Sequence, residues 1–153
     1  MLDDFLSLSE TLTGFDAFAL RGTGQAQAYL DTLTRMVGSE IATDLTSAHA
    51  SARDRAGDDA AAFSSAMRAN ILSDPRLGPV ARNLIKMWYV GTWYEMPRAW
   101  RDTYGTAEGS ESFVVSPQAY TEGLLWPAVG ANPSGAKPFG YGMWAMPPRV
   151  KPT

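Results

Sequence analysis

Five prolines and four glycines fall within the last 24 residues, Gly130 to Thr153. Proline fixes φ and removes a backbone donor, and glycine adds backbone entropy, so neither a helix nor a central strand runs through such a segment. It must loop or extend. The same stretch carries Phe139, Tyr141, Met143, Trp144 and Met146, apolar bulk that a solvated tail normally lacks. Groups this large need a surface, this chain's own or another's. The expectation is an irregular arm over 130–153 attached to a domain over 1–129.

That domain reads as all-α. Leu2, Phe5, Leu6, Leu8 and Leu12 recur at helical spacing over about 3–13, with Gly14 as the stop. After a loop containing Gly22 and Gly24, the segment Gln25 to Val37 places Tyr29, Leu33, Met36 and Val37 on one face, and Gly38 ends it. Ser39 is a cap for a third helix through Ile41 and Leu45 that is expected to fray into SARDRAGDD. Asp58 or Asp59 opens an alanine-rich helix through Phe63, Met67 and Leu72, halting before Asp74-Pro75.

The next helix is predicted from Pro79 to Tyr94. Only Arg82 and Lys86 are charged between Arg82 and Tyr94. Leu84, Trp88 and Gly91 form one stripe, and Ile85, Tyr89 and Trp93 form a second, rotated by one residue. A helix apolar on both stripes is covered on both sides, which a chain this small struggles to achieve, so one side is expected to meet another protein. Beyond Tyr94 the periodicity weakens through a Gly-Ser-rich stretch near Gly105 to Ser110. Phe113-Val114-Val115 reads as briefly extended, and Ser116 with Pro117 opens a last short helix to about Leu125. No alternating strand set and no internal repeat is present. The expected fold is a small helical bundle with a long Pro/Gly/aromatic C-terminal arm.

A chain of 153 residues can bury a core without a disulfide or a metal. Its net charge of −3 and scattered Lys and Arg argue against nucleic acid. The absence of cysteine removes thiolate nucleophiles, iron–sulfur clusters and covalent c-type haem attachment. No apolar run is long enough for a transmembrane span. Asp3 and Asp4 stand where a secretory signal would place basic residues, so a mature or leaderless chain is expected.

Catalytic signals are thin. The single histidine, His49, sits near Ser47, Ser51 and Asp54 on one local segment without a nucleophile elbow, and reads as a structural histidine. Gly22-Thr23-Gly24 begins like a dinucleotide fingerprint, but residue 27 is Gln and no strand precedes it, which favours a plain loop. The pairs Asp3-Asp4 and Asp58-Asp59 suit helix starts. Glu95, within WYEMP, is the one carboxylate among aromatics. Burial would raise its carboxyl, although a hydrogen-bonded structural role at a helix end is the favoured reading. Trp88, Tyr89, Trp93, Tyr94 and Trp100 offer faces for a sugar, a base or a flavin, but aromatics at helical spacing usually pack against protein, in a core or an interface.

Three segments together resemble one family: LDDFLSLSETLTG at 2–14, DPRLGPVARNLIKMWYVGTW at 74–93, and SPQAYTEGLLWPAVGANPSGAKPFGYGMWAMPP at 116–148. They look like the small subunit of membrane-bound, FAD-containing sugar and polyol dehydrogenases of the D-sorbitol dehydrogenase type. Residues 39–73 contribute little to the likeness. The resemblance implies a non-catalytic, chaperone-like subunit that stays bound to a large flavoprotein. FAD and the catalytic residues would belong to that partner, and a multihaem cytochrome c is the third member that some such complexes carry. It implies a periplasmic place at the outer face of the bacterial inner membrane, reached through the complex. It transfers no catalytic, metal or cofactor-binding residue to this chain. Partner contacts are expected from Trp88, Tyr89, Trp93, Tyr94, Trp100, Trp126, Phe139, Tyr141 and Trp144, with the arm extended over the large subunit. The alternative is an autonomous small sugar-binding module or enzyme built on the aromatic cluster and Glu95.

Overall fold

The computed structural model describes residues 1–105 and 111–137, and over them the chain is an all-α bundle. Helix α1 (Leu2–Thr13) ends where Gly14 turns left-handed, φ 77°, and returns its N–H to the Glu10 carbonyl. Helix α3 (Ala26–Ala56) is broken at Gly38, whose φ of 86° and ψ of 155° are not helical. Both glycine stops stand where the periodicity puts them.

The second half of α3 does not fray. It runs on through SARDR to Ala56 because His49 and Ala52 are buried there, and Arg53 reaches across to donate to Ser7 Oγ at 2.6 Å. Burial against α1 supplies what weak local propensity does not. Asp59 then caps α4 (Ala60–Met67), accepting from the Ala61 and Ala62 N–H groups. The segment Arg68–Leu72 continues as a π turn, with the Ser73 N–H bonded to the Arg68 carbonyl at 2.9 Å.

Helix α5 (Leu77–Val90) is the axis of the molecule, packed on α1, α3 and the π turn. Its start is set by Asp74, whose carboxylate accepts from the Arg76 and Leu77 N–H groups at 2.8 and 2.7 Å. Its end is at Val90 and not Tyr94. Gly91 takes φ 68° and caps the helix, and the chain leaves as strand β1 (Thr92–Trp93), pairing antiparallel with β2 (Phe113–Val114). A two-residue ribbon therefore exists where no sheet was expected. The course beyond that stop is tertiary in origin: the Gly91 carbonyl accepts from Val115 N at 2.9 Å, and the Trp88 carbonyl accepts from Leu124 N at 3.0 Å.

Two short helices were not legible in the sequence, α2 (Ala17–Gly22), capped by Asp16, and α6 (Arg98–Tyr104). The last predicted helix is two pieces, α7 (Pro117–Thr121) capped by Ser116 as expected and α8 (Leu125–Ala128), separated at Gly123. A Cβ on Gly123 would come within 2.7 Å of the Tyr89 carbonyl oxygen, so only glycine lets the chain pass this close to α5.

The core joins Phe5 and Leu8 of α1, Tyr29 and Leu33 of α3, and Leu84 and Trp88 of α5, each no more than 1% exposed. Residues 130–137 open the predicted arm but are not extended. They turn at 134–136, the Ala131 N–H bonds the Trp126 carbonyl, Tyr120 Oη bonds the Ser134 carbonyl, and Lys137 pairs with Glu122 at 2.8 Å. The base of the arm is thus tied to α7 and α8. Phe139, Tyr141 and Trp144 lie outside the described residues.

Candidate interaction surface

Of the nine aromatics expected at a partner contact, the six that the structure describes, Trp88, Tyr89, Trp93, Tyr94, Trp100 and Trp126, are not brought together on one face. Trp88 is at the centre of the core: its indole N–H donates to Ser9 Oγ at 2.9 Å, Ser9 in turn donates to the Phe5 carbonyl, and the Tyr29 ring meets it edge-on at 4.8 Å. Trp93, a member of the second stripe, is 0% exposed. The left-handed turn at Gly91 takes it off the helix, so extrapolating the stripe past Val90 fails. Trp100 is also buried, its indole donating to the Arg76 carbonyl at 2.7 Å. All three rings are packed within this chain and present no face outward.

Tyr89 is half-buried, bonded through its hydroxyl to the Thr13 carbonyl at 2.9 Å and set edge-on to Phe15. Tyr94 is exposed under the Lys86 ammonium, 5.1 Å from its ring centre. Trp126 is half-buried, with its indole bonded to the Tyr120 carbonyl and the Tyr120 ring against its edge. Of the described members of the set, these three reach the surface, and they come from different elements. Glu95 is paired with Arg101 at 2.6 Å and is exposed rather than enclosed by aromatics.

One surface residue went unremarked in the sequence. Phe18 on α2 is 88% exposed, far more than a core phenylalanine tolerates. The available signal was Asp16 followed by AFAL, a cap and an apolar run. Beside α2 lies a cavity of about 390 Å³ walled by Phe15, Ala19, Trp126, Pro127 and Pro133, with the Glu122–Lys137 pair among its lining. A second groove, about 380 Å³, runs between α1, the π turn and Ile85 of α5. Ile85 belongs to the second stripe, so that stripe is only partly covered.

His49 is a structural histidine. It is 2% exposed, with Nε2 2.9 Å from Thr11 Oγ1 and its ring edge-on to Phe63, so it ties α3 to α1 and α4. Burial, reinforced by Arg53 and opposed by Glu10, lowers its pKa below the ordinary 6.5. A lowered pKa means that the unfolded chain binds the proton more readily than the native one. The stabilisation from neutral His49 is complete above about pH 6.5 and is lost as the pH falls through the native value. Thermal midpoints should therefore drop more steeply between about pH 7.5 and pH 5 for the wild type than for His49→Gln. Parallel profiles would show that His49 is not the group responsible.

Among the described residues no group of His, Asp and Glu is arranged to hold a metal ion, and no helix is long and apolar enough to cross a membrane. Gly22-Thr23-Gly24 closes α2 and leads into α3, with no strand ahead of it. These residues do not form the strand–turn–helix cradle that a dinucleotide pyrophosphate needs. Comparison with protein-family models, with curated proteins and with solved structures finds no match.

Proposed function

We propose that this chain is a non-catalytic, stabilising subunit that binds the FAD-containing catalytic subunit of a membrane-associated sugar or polyol dehydrogenase. The observation that carries the binding role is the uncovered apolar surface: Phe18 at 88%, Val129 at 62% and Val114 at 56% exposure, alongside the two grooves. A chain with 19% charged residues that leaves such groups open gains stability when another protein covers them. The resemblance of segments 2–14, 74–93 and 116–148 supplies the partner's class. FAD then resides in that partner, a cytochrome c would pass its electrons to the membrane, and the complex is placed at the periplasmic face.

The buried positions of Trp88, Trp93 and Trp100 leave only Tyr89 and Tyr94 of the aromatic cluster at the surface, and Glu95 is paired with Arg101. We therefore do not propose an autonomous sugar site there.

The test is co-expression with an FAD-containing catalytic subunit of a sugar or polyol dehydrogenase from the same organism. The tagged chain should bring down that flavoprotein with its yellow cofactor, and yield of active dehydrogenase should fall at least several-fold when the chain is omitted. Purified alone, it should show no flavin absorbance and no sorbitol-dependent dye reduction. Stoichiometric FAD on the isolated chain, or turnover by it, would overturn the reading.

A further inference from the structure

The groove beside Ile85 has a chemistry of its own. Its walls are Leu12 of α1, Phe63 and Met67 of α4, Leu72 of the π turn and Ile85 of α5, with Thr11 and Ser64 adding two hydroxyl-bearing side chains. Leu12, Phe63 and Leu72 are only partly buried, packed with one side on the core and the other on the groove. No carboxylate lines it, whereas Arg68 does. Arg82 stands at the same edge, its guanidinium donating to the Leu72 carbonyl at 2.9 Å. Lys86 follows one helical turn after Arg82, with its ammonium over the Tyr94 ring beyond the groove's edge, and all three basic side chains are exposed. Among the described residues none of the three pairs with a carboxylate. In a chain of net charge −3 this is a local reversal of sign.

The π turn builds the arrangement. Its extra residue per turn, a feature often found at functional positions, keeps Ile71 in the core while Leu72 and Arg68 face the groove. Gly78 permits it: a Cβ there would lie 2.6 Å from the Leu72 carbonyl oxygen and 3.1 Å from that of Ile71.

The charge sign also selects the occupant. The remaining C-terminal sequence, 138–153, carries Arg149 and Lys151 and no acidic side chain, and the segment 106–110 has no large apolar residue. Neither matches an apolar trough with a basic rim. We propose that this groove receives an acidic amphipathic helix of the catalytic flavoprotein subunit, its apolar side chains on Leu12, Phe63 and Ile85 and its carboxylates on Arg68, Arg82 and Lys86. Helix-in-groove docking uses this division between apolar anchors and charged rim, and complementary charge sets register and association rate. The flavoprotein as donor of the helix rests on the proposed function; the acidic helix as ligand does not.

Two measurements separate those claims. In the first, the purified full chain is titrated by fluorescence anisotropy into a labelled amphipathic Leu/Ala/Glu helical peptide, the same peptide with Lys for Glu, and an unstructured Gly/Ser/Glu peptide of equal charge. The Glu helix should bind best, and Arg68→Glu/Lys86→Glu, which leaves the Arg82 hydrogen bond intact, should weaken it at least tenfold at unchanged helical content. Equal binding of Glu and Lys helices, equal binding of the unstructured peptide, or wild-type binding by the double variant would overturn the groove. In the second, the flavoprotein is co-purified with wild type and with the double variant, and a marked loss with the variant is expected. Retention by both rejects the groove as the subunit contact while the accessory role stands. Peptide binding that depends on Arg68 and Lys86, without capture of the flavoprotein by wild type, rejects the accessory role and keeps the groove as an acidic-helix site.

Discussion

Gly91→Ala should destabilise the protein by roughly 3–5 kcal/mol, a large share of the roughly 5–15 kcal/mol available to a domain. Gly91 holds φ 68°, a conformation costing an alanine about 1–2 kcal/mol. The new Cβ would also sit 2.4 Å from the Ala119 carbonyl oxygen and 2.9 Å from the Tyr120 nitrogen. Both are backbone atoms that cannot swing away, so α7 must move off α5. That movement strains the Val115-to-Gly91 and Leu124-to-Trp88 hydrogen bonds, each contributing about 1 kcal/mol net. Gly14→Ala is the control, since Gly14 has φ 77° with nothing within 4 Å of its would-be Cβ. It should cost only the conformational part, about 1–2 kcal/mol. Urea denaturation of both variants checks this. Equal losses would mean that close packing of α7 on Gly91 contributes nothing.

Trp88→Ala should cost about 3–5 kcal/mol, the range for emptying a buried tryptophan site. The ring is 1% exposed and bridges α1, through Phe5 and Ser9, to α3, through Tyr29. Its removal opens a cavity where three helices meet and leaves the Ser9 hydroxyl without its donor. Trp88→Phe keeps most of the apolar volume, so it should recover much of that loss and isolate the indole N–H bond at about 1 kcal/mol. Trp93→Ala belongs to the same class, because Trp93 is also enclosed. A change in folding stability for Trp93→Ala no larger than the roughly 0.5 kcal/mol of a surface substitution would contradict its burial. Tyr94→Ala and Phe18→Ala, at exposed positions, should leave folding nearly unchanged.

The local signals that proved reliable are those whose physics is local. Gly14 and Gly38 break helices because their own φ is positive, and Asp59 and Ser116 cap helices because their own side chains reach the next N–H groups. The apolar spacing of Phe5 and Leu8, and of Tyr29 and Leu33, was enough to place the inward faces of α1 and α3. The inward stripe of α5, Leu84 and Trp88, was visible in the same spacing, though not distinguishable there from the outward one.

The candidate surface obeyed a different rule. Whether Trp93 and Trp100 point in or out depends on the course of the chain after Gly91, and that course is set by hydrogen bonds to residues 115 and 124. No window of sequence around Trp93 contains those partners. The basic groove is the same case: Arg68 and Arg82 share an edge only because the π turn packs on α5 at Gly78, where a glycine admits two carbonyl oxygens. Helical period and capping act over one or two turns and can be read along the chain. Which aromatic is enclosed, and which charges stand together, follows from contacts between segments tens of residues apart, where packing and backbone pairing outweigh local preference.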